Sequence, residues 1–174
     1  GKGSLFEGGT RVPFIVRWDG QVKAGGLDAT SLQSFDLYPT LASITGAALP
    51  ADLQLDGLDL SGRFKMDPEV VADRALYWHF PGYLQASSKL GTWRTTPAAS
   101  MRRLDIKVVF WFEDRTWSLF DLATDISEAN NLADSRPDLL RPLALELREW
   151  LRATKAPMPR EIGGGAVARP RMPE

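Results

Sequence analysis

Apolar and polar residues recur along the chain with two different periods, and the changes between them mark the elements. The run Val12-Pro13-Phe14-Ile15-Val16-Arg17-Trp18 is β-branched and aromatic and closes on Asp19-Gly20, which predicts a buried strand ending in a turn. From Ser34 to Thr45 the spacing becomes helical, with Phe35, Leu37, Tyr38, Leu41 and Ile44 recurring and Gly46 as C-terminal cap. Pro39 costs that helix a hydrogen bond unless it lies in the first turn. Ala47 to Pro68 is turn-rich and weakly periodic and reads as a linker between two regions. The second region opens with Arg74-Ala75-Leu76-Tyr77-Trp78-His79-Phe80, a strand stopped by Pro81-Gly82. Ile106 to Phe112 reads as an apolar stretch, Glu113-Asp114-Arg115 breaks it, and Trp117 to Leu122 is strand-like again, which predicts an antiparallel hairpin. After a polar, turn-like segment from Asp125 to Asp134, Ser135 is placed to cap a helix. Its Leu140, Leu143, Leu147, Trp150 and Leu151 form one apolar stripe that should pack on the hairpin sheet, with Glu146, Arg148, Glu149 and Arg152 mostly on the wet side. Pro142 removes a bond and crowds the preceding carbonyl, so the regular helix is expected to start near it. Beyond Ala156 the prolines and Gly163-Gly164-Gly165 leave little to bury, which predicts an extended or disordered tail over 157–174.

Composition narrows the function classes more than the fold. A chain of 174 residues with 44% hydrophobic residues can build one or two cores. With 21 Lys plus Arg against 22 Asp plus Glu, the net charge of −1 gives no global field for nucleic acid or an anionic membrane. Any anion recognition must therefore be local. No apolar run approaches the roughly 18 residues of a membrane span. The start Gly1-Lys2-Gly3-Ser4 has neither a signal-peptide core nor an initiator Met, so the chain is expected to begin within a longer protein. The absence of Cys excludes disulfides, thiolate metal sites and a Cys nucleophile.

Five ordered blocks carry a resemblance. The first is Gly1-Lys2-Gly3-Ser4-Leu5-Phe6-Glu7-Gly8-Gly9-Thr10-Arg11-Val12-Pro13, followed by the apolar run and Trp18-Asp19-Gly20. Then come Ser34-Phe35-Asp36-Leu37-Tyr38-Pro39-Thr40-Leu41, Leu55-Asp56-Gly57-Leu58-Asp59-Leu60 and Leu76-Tyr77-Trp78-His79-Phe80-Pro81. The last is Leu119-Phe120-Asp121-Leu122 leading to Glu128-Ala129-Asn130-Asn131-Leu132-Ala133. Together they resemble the C-terminal portion of type I sulfatases, within the alkaline-phosphatase-like superfamily. Asp19 stands where that family usually has Pro, and Thr92 to Asp105 matches its usual approach to the hairpin poorly.

The resemblance implies an α/β fold that is α+β in its C-terminal part. Residues 1–62 would be the last piece of a catalytic α/β domain, and 63–156 a small subdomain of antiparallel sheet plus C-terminal helix. It also implies a sulfuric ester hydrolase with a formylglycine nucleophile and a calcium ion, acting on a sulfate-ester substrate such as a sulfated carbohydrate. A cation beside the nucleophile makes physical sense because charge builds on the sulfuryl oxygens. Nothing here resembles the Cys/Ser-x-Pro-x-Arg motif: Ser135-Arg136-Pro137 has Leu139 where Arg is needed, and it reads as a helix cap. No Asp-Asp or Asp-Asn dipeptide offers the family's metal ligands. Nucleophile and calcium ligands would therefore lie upstream, this chain alone would be inactive, and the missing N-terminal catalytic region is its implied partner. A periplasmic or secreted location follows from the family only.

Lys2 is the one catalytic position that the resemblance carries over, as the lysine that contacts the sulfate. An ammonium on a flexible stem between two glycines can approach a tetrahedral anion unobstructed. Glu7 and Arg11, flanking Gly8-Gly9, read as an internal ion pair that holds a turn before they read as direct substrate contacts. His79, the only histidine, reads either as a half-buried packing residue or, at the end of its strand, as a substrate-facing group. Trp78, Phe80, Tyr83, Trp93, Trp111 and Trp117 read as core before they read as sugar-stacking platforms. Two other classes remain open: a related metal-dependent phosphate or phosphonate ester hydrolase, and a non-catalytic binding module.

Overall fold

Each strand of the second region finds a partner, and the pairing places every residue of the sheet on a known face. A computed structural model describes residues 2–64, 73–87, 92–161, 163, 165 and 169–173. The chain divides into two compact units: Gly1–Val12 with Ala75–Glu174, and Pro13–Arg74.

In the first unit, β1 (Ala75–Phe80), β4 (Ala98–Arg103), β5 (Ile106–Trp111) and β6 (Thr116–Asp121) form one sheet in the order β1-β4-β5-β6. All its pairs are antiparallel. The expected hairpin is β5–β6, and the expected strand before Pro81 is β1. A second, two-stranded sheet pairs β2 (Leu84–Ser87) with β3 (Thr92–Thr95). Sequence reading missed β2, β3 and β4. Ala98-Ala99-Ser100 has low β-propensity, yet β4 lies between β1 and β5, where small residues let elements on both faces approach.

Side chains alternate across the sheet, so Tyr77, His79, Ala99, Met101, Val108, Phe110, Trp117 and Leu119 share one face. On it packs α4 (Pro137–Ala153), through Leu140, Ala144, Leu147 and Leu151, all buried at helical spacing. Trp150 stacks on Tyr77 with ring centroids 4.6 Å apart. Full burial of each such leucine contributes roughly 1.5–3 kcal/mol. The apolar stripe is as expected, but two details differ. Ser135 does not cap: its hydroxyl donates to the Leu132 carbonyl at 3.3 Å, and Arg136 occupies the cap position, its side chain pairing with Asp138 and capping no helix N–H. The helix begins at Pro137, five residues before Pro142, because proline's fixed φ and missing N–H suit a first turn. Pro142 is accommodated inside the helix.

In the second unit, a 3-10 turn (Ser34–Asp36) runs into α2 (Leu37–Thr45), which ends on Gly46 at φ 70° as expected. Pro39 lies in the first turn, where no helical hydrogen bond is lost. Asp36 is the buried hub. It pairs with Arg74 and accepts from the Gln33 and Leu58 amides at 2.7 and 3.0 Å. Burial pushes its carboxyl up, but the Arg74 pair and the two amides outweigh that and hold it below the usual range. The expected linker is anchored: Leu60 N donates to Thr40 Oγ1 at 2.9 Å, and a short α3 (Ser61–Phe64) follows. Its last residues, 65–68, lie outside the described residues.

Val12 to Trp18 forms no strand, with Val12 74% and Ile15 90% exposed. The reason is physical: a β-run is stable only against a partner ladder, and none pairs with it among the described residues. Limited trypsin digestion of the 174-residue chain should therefore cut first after Arg17 or Lys23, and late within β4–β6 and α4. First cuts in the β5–β6 hairpin would contradict this order.

Candidate functional site

The first twelve residues belong to the unit of the sheet, and two kinds of contact hold them there. Leu5 and Phe6 pack with Ala98, Val109, Trp111, Phe120 and Leu122, on the face opposite α4. Phe6 lies 5.4 Å from the Trp111 ring and 6.1 Å from that of Phe120. One turn of helix, α1 (Glu7–Thr10), follows, with the Arg11 amide donating to the Glu7 carbonyl at 2.8 Å. Gly9 is required in that turn, because a Cβ there would stand 2.1 Å from the Ser4 carbonyl oxygen.

The second contact is ionic and buried. Glu7 takes Lys107 Nζ at 3.0 Å on one carboxylate oxygen and Arg102 Nη1 at 3.0 Å on the other. Lys107 Nζ also reaches Glu128 Oε1 at 2.9 Å, and the Glu7 amide donates to Glu128 Oε2 at 2.5 Å. Lys107 and Arg102 are cross-strand neighbours in β5 and β4. Two cations thus meet two carboxylates in a site where Lys107 is fully buried and Glu7 and Glu128 nearly so. Ion pairing of this kind is what allows charges to leave water at all. Glu7 therefore pairs with Lys107 and Arg102, not with the expected Arg11. The two oxygens of its carboxylate are taken by deeper partners.

Ahead of this anchor, Lys2 stands exposed on a turn. Gly3, next to it, has φ 89°, and a Cβ there would fall 2.3 Å from Leu84 Cδ2 of β2. The turn is thus pressed against the β2–β3 hairpin, with the lysine side chain facing solvent.

His79 is on the other side. It projects from the α4 face of β1, edge-on to Phe112 at 5.7 Å, and its Nε2 lies 2.7 Å from the Pro157 carbonyl oxygen. A carbonyl only accepts, so Nε2 carries the proton. The structure does not bring His79 and the Lys2 segment together. The described residues of the expected tail, 157–161, 163, 165 and 169–173, contain no helix and are tied down: Trp117 Nε1 donates to the Arg171 carbonyl at 2.8 Å, and Arg115 pairs with Glu161 at 2.7 Å. Parts of the tail lie outside the described residues. Among the aromatic set, Trp78 and Trp111 pack against the cluster of Leu5, Ala98, Val109, Phe120 and Leu122, and the Trp117 and Phe110 ring centroids lie 4.8 Å apart. Tyr83 and Trp93 stay 45% and 46% exposed on the β2–β3 hairpin, contrary to a core reading.

Glu7, Asp28 and Asp36 are each committed to a cation. Asp28, held by Arg63, falls to about 2. Among the described residues no group of three or more His, Asp or Glu side chains is arranged to hold a metal, so the donor set does not fit a calcium cage. No helix among them is long and apolar enough to cross a membrane.

Lys107, Arg102 and Glu128 escaped sequence reading. The available signal was Lys107 itself, a charge inside an apolar strand, which demands buried partners.

The fold and this N-terminal segment together define a sulfatase C-terminal region. The family model described as N-sulphoglucosamine sulphohydrolase, C-terminal, matches residues 1–156, and the chain belongs to that family. It is 32% identical over 170 residues to a sulfatase of Formosa agariphila, covering 90% of this chain and 30% of that protein. It is 31% identical over 164 residues to an N-acetylgalactosamine-6-O-sulfatase of Bacteroides thetaiotaomicron, covering 89% of this chain and 29% of that protein. Among solved structures it resembles Ps i-CgsB in complex with k-i-k-neocarrahexaose, with a TM-score of 0.60 and 27% identity, over 76% of this chain and 27% of that one. The chain therefore spans about 30% of the length of such relatives.

Proposed function

We propose that the full-length protein hydrolyses sulfate esters of carbohydrates, and that this chain contributes to its active site the lysine that contacts the sulfate, Lys2. The observation that carries the reading is the Gly-Lys-Gly turn, which presents an exposed ammonium from a segment fixed by buried ion pairs. Such an ammonium supplies charge where negative charge develops on the sulfuryl oxygens as the ester breaks. The family membership and the carbohydrate sulfatase among the relatives support the substrate class. Nucleophile and metal are assigned to residues upstream of Gly1, as a formylglycine and a calcium ion. Bound there, the calcium would supply charge neutralisation at the sulfuryl group. We assign His79 to holding Pro157, not to substrate. A periplasmic or secreted location rests on the family alone.

The test is release of inorganic sulfate by the full-length protein from carbohydrate sulfates, beside phosphate release from the matching phosphate esters. Sulfate release should dominate, and the 174-residue chain alone should show neither, since the catalytic constellation is incomplete. Dominant phosphate release would replace the reading with a phosphate ester hydrolase.

A further inference from the structure

We propose that the cluster Glu7, Lys107, Glu128 and Arg102 positions Lys2 for the sulfate ester, so that Lys107 and Glu128, far along the chain, are positioning residues of the active site. The proposal rests on the reading of Lys2 as the sulfate-contacting lysine.

Lys2 sits on a turn with no strand or long helix to fix it. Contacts of Leu5 and Phe6 set how close the segment lies to the sheet, but apolar contact is non-directional and tolerates sliding. Glu7, five residues on, is fixed in direction. Its amide and both carboxylate oxygens each have a charged partner in a dry site, and charge-assisted hydrogen bonds there admit a single registry.

The far side of the cluster is shaped for the same purpose. Glu128 has φ 55°, a left-handed conformation that a residue with a Cβ rarely adopts. It is held there by its loop: the Glu128 amide donates to the Asp125 carbonyl at 3.1 Å, and the Asn130 amide to Asp125 Oδ2 at 2.8 Å. Asn131 Oδ1 accepts from the Leu119 amide at 2.9 Å and so ties the loop to β6. Outliers of this kind persist where the surroundings over-determine them, and they gather at functional sites. Here the outlier aims a carboxylate at Lys107 and at the Glu7 amide.

A double-mutant cycle in the full-length enzyme decides the matter, using the sulfate ester that the parent turns over fastest. The four proteins are the parent, Lys107→Met, Lys2→Ala and the combination, with kcat and KM measured well below each melting temperature and folding checked by circular dichroism. Lys107→Met is expected to lower kcat on the order of 100-fold, as a displacement of about 1 Å can do, with a smaller change in KM. In the Lys2→Ala background the same substitution should change kcat by less than about twofold, because its effect passes through Lys2. A structural role alone would act equally in both backgrounds. Equal losses, or a folded Lys107→Met with unchanged kcat, would overturn the positioning role while leaving Lys2 in place. An unchanged kcat in Lys2→Ala would overturn the reading beneath it as well. Should Lys107→Met not fold, the charge-balanced Lys107→Met/Glu128→Gln takes its place in the cycle with the same outcomes.

Discussion

Replacing Lys107 by Met in the full-length protein should cost about 3–5 kcal/mol of stability, although Met fills nearly the same volume. Lys107 is fully buried and lies 3.0 Å from Glu7 and 2.9 Å from Glu128. Removing it leaves two carboxylates in a dry site with Arg102 as their remaining cation. The loss comes from the uncompensated charge, not from the pair's own strength, since a buried pair replaced whole by apolar groups is often neutral. For that reason Lys107→Met/Glu128→Gln, which removes one charge of each sign, should recover most of the loss. Denaturant unfolding of the three proteins checks both statements. A loss below about 1 kcal/mol for Lys107→Met would mean that water reaches the cluster.

Where a local pattern had a local cause, the sequence was legible. The β5–β6 hairpin, the stripe of α4 and the Gly46 cap all depend on neighbours within a few residues, and each is found where periodicity put it. What failed depended on distant partners. Val12–Trp18 has the composition of a strand, but a strand is a relation between two segments, and no segment among the described residues pairs with it. The strand β4 was hidden for the opposite reason: Ala98, Ala99 and Ser100 have little propensity, and the pairing on both sides decides. Glu7 illustrates the limit at the site. Its nearest cation in sequence is Arg11, whereas its partners in space lie 95 and 100 residues away. Charge complementarity can be suspected from Lys107 inside its apolar strand, but the identity of its carboxylates requires the fold.

Lys2→Ala in the full-length protein should lower turnover of a sulfate ester by roughly 100- to 1000-fold, the loss of about 2.7–4 kcal/mol typical of one anion-stabilising donor. The effect should fall on kcat as well as on KM, because contact with the sulfuryl oxygens strengthens as negative charge spreads over them. Stability should hardly change, since Lys2 is exposed and Leu5, Phe6 and Glu7 hold the segment without it. A lysine that is merely solvated predicts a stability change within about 0.5 kcal/mol and no change in rate. The decisive measurement is therefore kcat together with melting temperature for Lys2→Ala beside the parent. A fall in kcat of roughly 100-fold or more at unchanged melting temperature is the predicted result. Turnover within about threefold of the parent, with folding intact, would contradict the claim that this chain supplies the sulfate-contacting lysine.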